Sequence, residues 1–215
     1  MTVQAAAAEG KPAAETAVDL GATRFRPAQV DVVFVLDVTG SMGREIRGVQ
    51  AGIVDFAREL QRRRLDARVG LLAFRDRPNG EEAEQLRFED GAPFTRDVAR
   101  FAKEVGRLEA KGGGDRRKVC STRPSRATRL PFRPEAARVL LLICDDVPKL
   151  PDKELRTPKA CNDLLRARSI AQLHVVVRRT NLSHYEEIRE GIKGQFFNLD
   201  AVRAAGPAWR RHCRR

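Results

Sequence analysis

The sequence predicts an α/β domain: a doubly wound, mostly parallel sheet with helices on both faces. Two observations carry this. Short, almost continuous apolar runs rich in β-branched residues recur along the chain, as they do in strands buried on both faces. Between them, apolar residues return every three or four positions, as on one face of a helix. Alternating strands and helices build parallel sheets, whose ligands sit beyond the carboxyl ends of the strands.

The elements follow in order. Residues 1–28 are small, polar and Ala-rich without a sustained period, which predicts a disordered leader before a domain over 29–205 and a basic tail over 206–215. Gln29 to Asp37 (QVDVVFVLD) is the first strand. Ile46, Val49, Ile53, Phe56 and Leu60 then draw one apolar stripe on a helix from about Arg44 to Arg64. Ala67 to Phe74 is the second strand and Gln85 to Phe88 a short edge strand. Thr95 is the expected N-cap of the next helix, on which Val98, Phe101, Val105 and Leu108 repeat the helical spacing. After a glycine cluster at Gly112 to Gly114, Ala137 to Cys144 is another doubly buried strand. The remaining expectations are a helix within Pro158 to Arg168, a strand at Leu173 to Val177, a helix from Ser183 to about Ile192 and a last strand at Gln195 to Leu199.

Composition narrows the function classes. A chain of 215 residues, 42% hydrophobic and 33% charged, suits one well-buried domain. It has no apolar run of about eighteen residues and no hydrophobic leader, so a cytoplasmic protein without a membrane partner is expected. The net charge is +12, but ten of those charges lie in two acid-free stretches, residues 116–129 and 206–215. The rest is nearly neutral, and no basic stripe is interleaved with aromatics, which argues against a specific nucleic-acid partner. Cys120, Cys144, Cys161 and Cys213 lack C-x-x-C spacing and read as ordinary thiols. His174, His184 and His212 are isolated, and Glu186 and Glu187 read as a solvated helix face.

The chemistry gathers where the first and fourth main strands end. Asp37, Thr39 and Ser41 place a carboxylate and two hydroxyls at alternate positions, and Gly40 permits a tight turn that aims them at one place. Hard oxygen donors without histidine suit Mg²⁺ or a similar cation. Asp145 and Asp146 end the fourth main strand on the same edge, and Asp115 closes the glycine cluster. An alternative reading is a Mg²⁺-dependent phosphoryl-transfer enzyme with Asp37 as nucleophile. Against it, Val38 after Asp37 is neither basic nor followed by a second acid, and no lysine is placed beside the strand ends as a phosphate partner; separately, Gly112 to Gly114 is not a phosphate loop.

D-x-T-G-S after the first strand, F-R-D at Phe74 to Asp76, G-G-G-D at Gly112 to Asp115 and C-D-D after the fourth main strand together resemble a bacterial von Willebrand factor type A (vWA) domain. The resemblance spans about Val30 to Val202. It implies a non-enzymatic recognition module with a metal-ion-dependent adhesion site. Mg²⁺ or Mn²⁺ would be held by Asp37, Thr39 and Ser41, and by Asp145 through water. A carboxylate of a partner protein would complete the shell, and an ATPase encoded nearby is a further expected partner. Where the family places threonine after two glycines this chain has Gly114, so Asp115 is taken as the substitute ligand and Asp76 as a supporting acid.

Residues 116–129 fall where this topology needs a helix, yet they carry Pro124 and six bases. Permitted codons for Arg116 to Arg123, read from the third base, encode Glu-Glu-Ser-Leu-Leu-Asp-Ala. Those for Ala208 to Arg214, read likewise, encode Leu-Ala-Ala-Ala-Leu-Pro. Both stretches therefore read as local frameshifts, and no amphipathic helix is expected over 116–129.

Overall fold

The computed structural model describes residues 28–77, 80–88, 91–112, 123–148, 150 and 155–201, with backbone only at 76–83 and 123. Six strands form one sheet: β1 (Gln29–Asp37), β2 (Asp66–Arg77), β3 (Gly80–Gln85), β4 (Ala137–Ile143), β5 (Ile170–Val177) and β6 (Phe196–Asn198). Their order is β3-β2-β1-β4-β5-β6, parallel throughout except for the antiparallel β3 at one edge. The doubly wound α/β fold expected from the sequence is the fold observed.

β1 shows why the apolar runs are continuous. It is buried from Asp31 to Asp37 because both sheet faces are covered. Val32, Phe34 and Leu36 pack on the side of α1 (Ile46–Arg62) and α2 (Val98–Gly106), against Ile53, Phe101 and Val105. Val33 and Val35 pack on the side of α3 (Arg123–Ala127), α4 (Pro158–Ala167) and α5 (Glu186–Arg189), against Leu165 and Ile188. Each such side chain, fully buried, contributes roughly 1.5–3 kcal/mol. Because β2 lies on one side of β1 and β4 on the other, the chain winds away in both directions and opens a crevice where these strands end. Among the described residues no helix is long and apolar enough to cross a membrane.

Several local expectations are corrected. The first helix begins as a 3-10 turn over Gly40–Arg44 that buries Met42, and only then becomes α1. The edge strand lies at Gly80–Gln85; Leu86 and Phe88 are buried beyond its end. Thr95 is not the N-cap of α2: Asp97 accepts the amide of Arg100, while Thr95 bridges β2 through Val69 and its hydroxyl accepts the Asp97 amide. The helix expected from Ser183 is a 3-10 helix over Arg179–Tyr185 followed by the single turn α5. Its inward residues Leu182, Tyr185 and Ile188 recur every third position, the 3-10 period rather than the α period.

The basic segment is also corrected in part. Residues 123–127 are helical, and Pro124 sits in the first turn, where its missing N–H costs nothing. Small residues, Ser125, Ala127 and Thr128, face inward while Arg129 is exposed, so the turn covers the sheet without large apolar groups. Residues 113–122, residues 1–27 of the leader, the last residues of the expected domain over 202–205 and the tail 206–215 lie outside the described residues, and with them most of the segments read as frameshifted.

At the opposite end of the sheet from the crevice, Asp31 is fully buried. It accepts Arg68 Nε at 3.0 Å and Nη2 at 2.6 Å, and Arg133 N at 2.8 Å and Nε at 2.9 Å. Arg133 reaches on to Asp66 at 2.7 Å. Burial pushes the Asp31 carboxyl up, but the hydrogen bonds from Arg68 and Arg133 outweigh it and hold it below the usual carboxylate range. The hydrogen bond from Arg133 likewise holds Asp66 low.

Candidate metal centre

Asp37 is the last residue of β1 and is fully buried at the mouth of the crevice. Its Oδ1 accepts the Thr39 amide at 2.8 Å, the local bond that turns the chain out of the strand. The turn brings Thr39 Oγ1 to 3.1 Å from Ser41 Oγ, so the two hydroxyls read from the alternate spacing do meet. Thr39 is buried and Ser41 exposed, which gives the cluster a buried and a solvent side.

The backbone clamps this loop. Val38 N donates to Phe74 O of β2 at 3.0 Å, and Lys111 N donates to Val38 O at 3.1 Å. Gly40 N donates to Gly112 O at 2.8 Å, and a Cβ on Gly40 would lie 2.8 Å from that same oxygen. The glycine is thus required by a close approach between the first loop and the start of the glycine cluster, beyond the freedom to turn.

The end of β4 supplies the second carboxylate. Cys144 N donates to Val176 O of β5, and the chain then presents Asp145, which is 8% exposed. Oxygens of Asp37 and Asp145 and the sulfur of Cys144 all lie within 4.8 Å of one another, the one such group of metal-ligating side chains among the described residues. Cys144 Sγ donates to Asp37 Oδ2 at 3.6 Å and accepts the Asp146 amide at 3.4 Å. Asp146 turns away: its Oδ1 accepts Val147 N at 2.8 Å, and its carbonyl accepts Tyr185 OH at 2.6 Å.

Four of the five expected ligands can therefore be placed. Asp37, Thr39 and Ser41 share one loop, and Asp145 stands across the crevice within reach of Asp37. Asp115 and the side chain of Asp76 lie outside the described residues. The histidines expected to be incidental stay away from this edge where described: His174 lies within β5 and hydrogen-bonds Gln172, and His184 is exposed. Glu186 and Glu187 are exposed as expected.

The sequence reading missed Cys144, Glu45 and Arg178 as parts of the site. Arg178 follows the last residue of β5 and reaches three carboxylates: Glu45 Oε1 at 3.1 Å, Asp145 Oδ2 at 3.7 Å and Asp200 Oδ1 at 2.8 Å. Burial would weaken its charge, but Glu45 and then Asp145 and Asp200 outweigh burial and raise its pKa. The available signal was positional, since Arg178 stands one residue beyond the end of β5 on the same sheet edge as Asp37.

No family model matches the chain, and no curated protein matches it. Solved structures do. Proximal thread matrix protein 1 from the mussel byssus superposes with a TM-score of 0.60 at 11% identity, over 82% of this chain and 46% of that one. A second crystal form of the same protein gives 0.58 at 9% identity. The VWA domain of SpRpn10 gives 0.53 at 11% identity, over 80% of this chain and 93% of that domain. The chain spans less than half the length of the mussel protein it matches. At these identities the similarity is one of fold, and the fold is vWA-like.

Proposed function

We propose that this chain is a recognition module of the vWA type, holding a divalent cation at the carboxyl edge of its sheet and through it an acidic group of a partner protein. The observation that carries the reading is the approach of the Asp37 and Asp145 carboxylates at one crevice, with the hydroxyls of Thr39 and Ser41 meeting on the loop that follows Asp37. Mg²⁺ or Mn²⁺ fits this oxygen-rich set, with Asp37, Thr39 and Ser41 as direct ligands, Asp145 acting through water and Asp115 as a further ligand. The bound cation supplies a Lewis-acidic contact that a partner carboxylate fills. Asp37 orients the loop through the Thr39 amide, and Arg178 holds Asp145 at the edge of the crevice.

This is a role in binding rather than in bond cleavage. Pull-down from the chain's own source in Mg²⁺, and again after chelation, tests it: the reading expects a partner retained only with the cation. Equal retention in chelator, or Mg²⁺-dependent phosphatase activity lost in Asp37→Asn, contradicts it.

A further inference from the structure

The sulfur of Cys144 stands among the oxygens of this centre. It lies 3.6 Å from Asp37 Oδ2, and the set it forms with Asp37 and Asp145 fits within 4.8 Å. Zn–S bonds of about 2.3 Å and Zn–O bonds of about 2.0–2.2 Å, set at tetrahedral angles, place sulfur and oxygen about 3.5 Å apart. The spacing of Cys144 and Asp37 is already that of one edge of a zinc tetrahedron. The Asp146 amide donates to the same sulfur at 3.4 Å, and the Asp146 carbonyl oxygen lies 3.6 Å from it. The other described cysteine, Cys161, is buried on α4 and belongs to no such group among the described residues.

The two oxygens of Asp37 face different partners. Oδ1 is turned to the Thr39 loop and Oδ2 to Cys144. One carboxylate therefore touches both the loop that carries Thr39 and Ser41, through the Thr39 amide, and the mixed set with Cys144 and Asp145.

We propose that Asp37, Cys144 and Asp145 form a site for a thiophilic divalent cation of the zinc class, which competes with Mg²⁺ or Mn²⁺ for the shared carboxylates. The inference rests on reading this edge as a cation centre. On binding, the Cys144 S–H bond breaks, its proton leaves to solvent, and the sulfur electron pair forms the metal–sulfur bond without change of oxidation state. Water or the partner carboxylate would complete a four-coordinate shell. A thiolate adds far more affinity for zinc than for magnesium, so zinc displaces the harder ion.

The test uses the full chain with Co²⁺ as the spectroscopic probe and Zn²⁺ and Mg²⁺ by calorimetry. Co²⁺-loaded wild type should show a thiolate-to-cobalt charge-transfer band that persists in Cys161→Ser and vanishes in Cys144→Ser. Cys144→Ser should lose about tenfold or more in Zn²⁺ affinity and proportionally less in Mg²⁺ affinity, and Ser41→Ala should do the reverse. A wild-type spectrum without the band, or equal Zn²⁺ affinity in wild type and Cys144→Ser, overturns the proposal. Zinc X-ray absorption on wild type keeps it testable if the variant does not fold: one sulfur at about 2.3 Å supports it, and a shell of oxygen and nitrogen alone overturns it. Mg²⁺ binding with a Zn²⁺ affinity indifferent to Cys144 defeats this inference alone. Zn²⁺ held through Cys144 with no Mg²⁺ binding at all defeats the magnesium reading alone.

Discussion

At the scale of single residues, the chain fixes its two ends by different means. Asp31 carries a buried charge satisfied by two arginines, one of them 102 positions away in sequence. Breaking a buried pair of this kind costs about 3–5 kcal/mol, so Asp31→Ala should lower stability by that order in denaturant unfolding. The sign with pH follows from its depressed carboxyl. The contribution is present above the unfolded value of about 3.9 and is lost as pH falls through the folded value, so acid unfolding should shift toward neutral pH in the variant. At the other end, Gly40→Ala drives a Cβ against Gly112 O at 2.8 Å. It should weaken Mg²⁺ affinity about tenfold or more with a smaller loss of stability, as calorimetry and thermal unfolding on one sample would show. The residue pattern D-x-T-G-S was legible because its spacing is local. Asp31 was not, since within an apolar strand it gave no sign of the guanidinium groups that justify it.

Elements were legible wherever one period dominated. β1, β4 and α1 follow from runs and stripes in which every position obeys the same environment. Thr95 misled because a good capping residue was taken by the sheet: it pairs with Val69, and Asp97 two residues on does the capping. Asp97→Ala should therefore cost about 1 kcal/mol, read as a shift in denaturant midpoint at constant slope. The segment from Ser183 misled because inward residues three apart fit a 3-10 helix as well as a loosely periodic α-helix. Tyr185, fully buried and bonded to Asp146 O, anchors that conformation and also holds the loop behind Asp145. Cys144 escaped notice because cysteine spacing, the usual sign of a metal site, says nothing of a cysteine paired with carboxylates from two strands.

For the whole molecule, charge and function separate. Ten of the twelve excess positive charges lie in residues 116–129 and 206–215, neither of which contains a proposed cation ligand. Any nucleic-acid binding should be independent of sequence and fall steeply between low and physiological salt, and removing residues 206–215 should reduce it without changing cation affinity. Fluorescence titrations with unrelated duplexes at two salt concentrations would check this. The doubly wound sheet was predicted because alternation of strand and helix is a global pattern, and the crevice followed from it: strands to either side of β1 leave Asp37 and Asp145 facing one another. Calorimetric titration of Mg²⁺ and Mn²⁺ into wild type, Asp37→Ala and Asp145→Ala tests whether that facing carboxylate pair holds a cation. Saturable binding to wild type, none to Asp37→Ala and a weaker but measurable affinity for Asp145→Ala are expected; unchanged affinity in a folded Asp37→Ala chain would contradict a cation held by this pair.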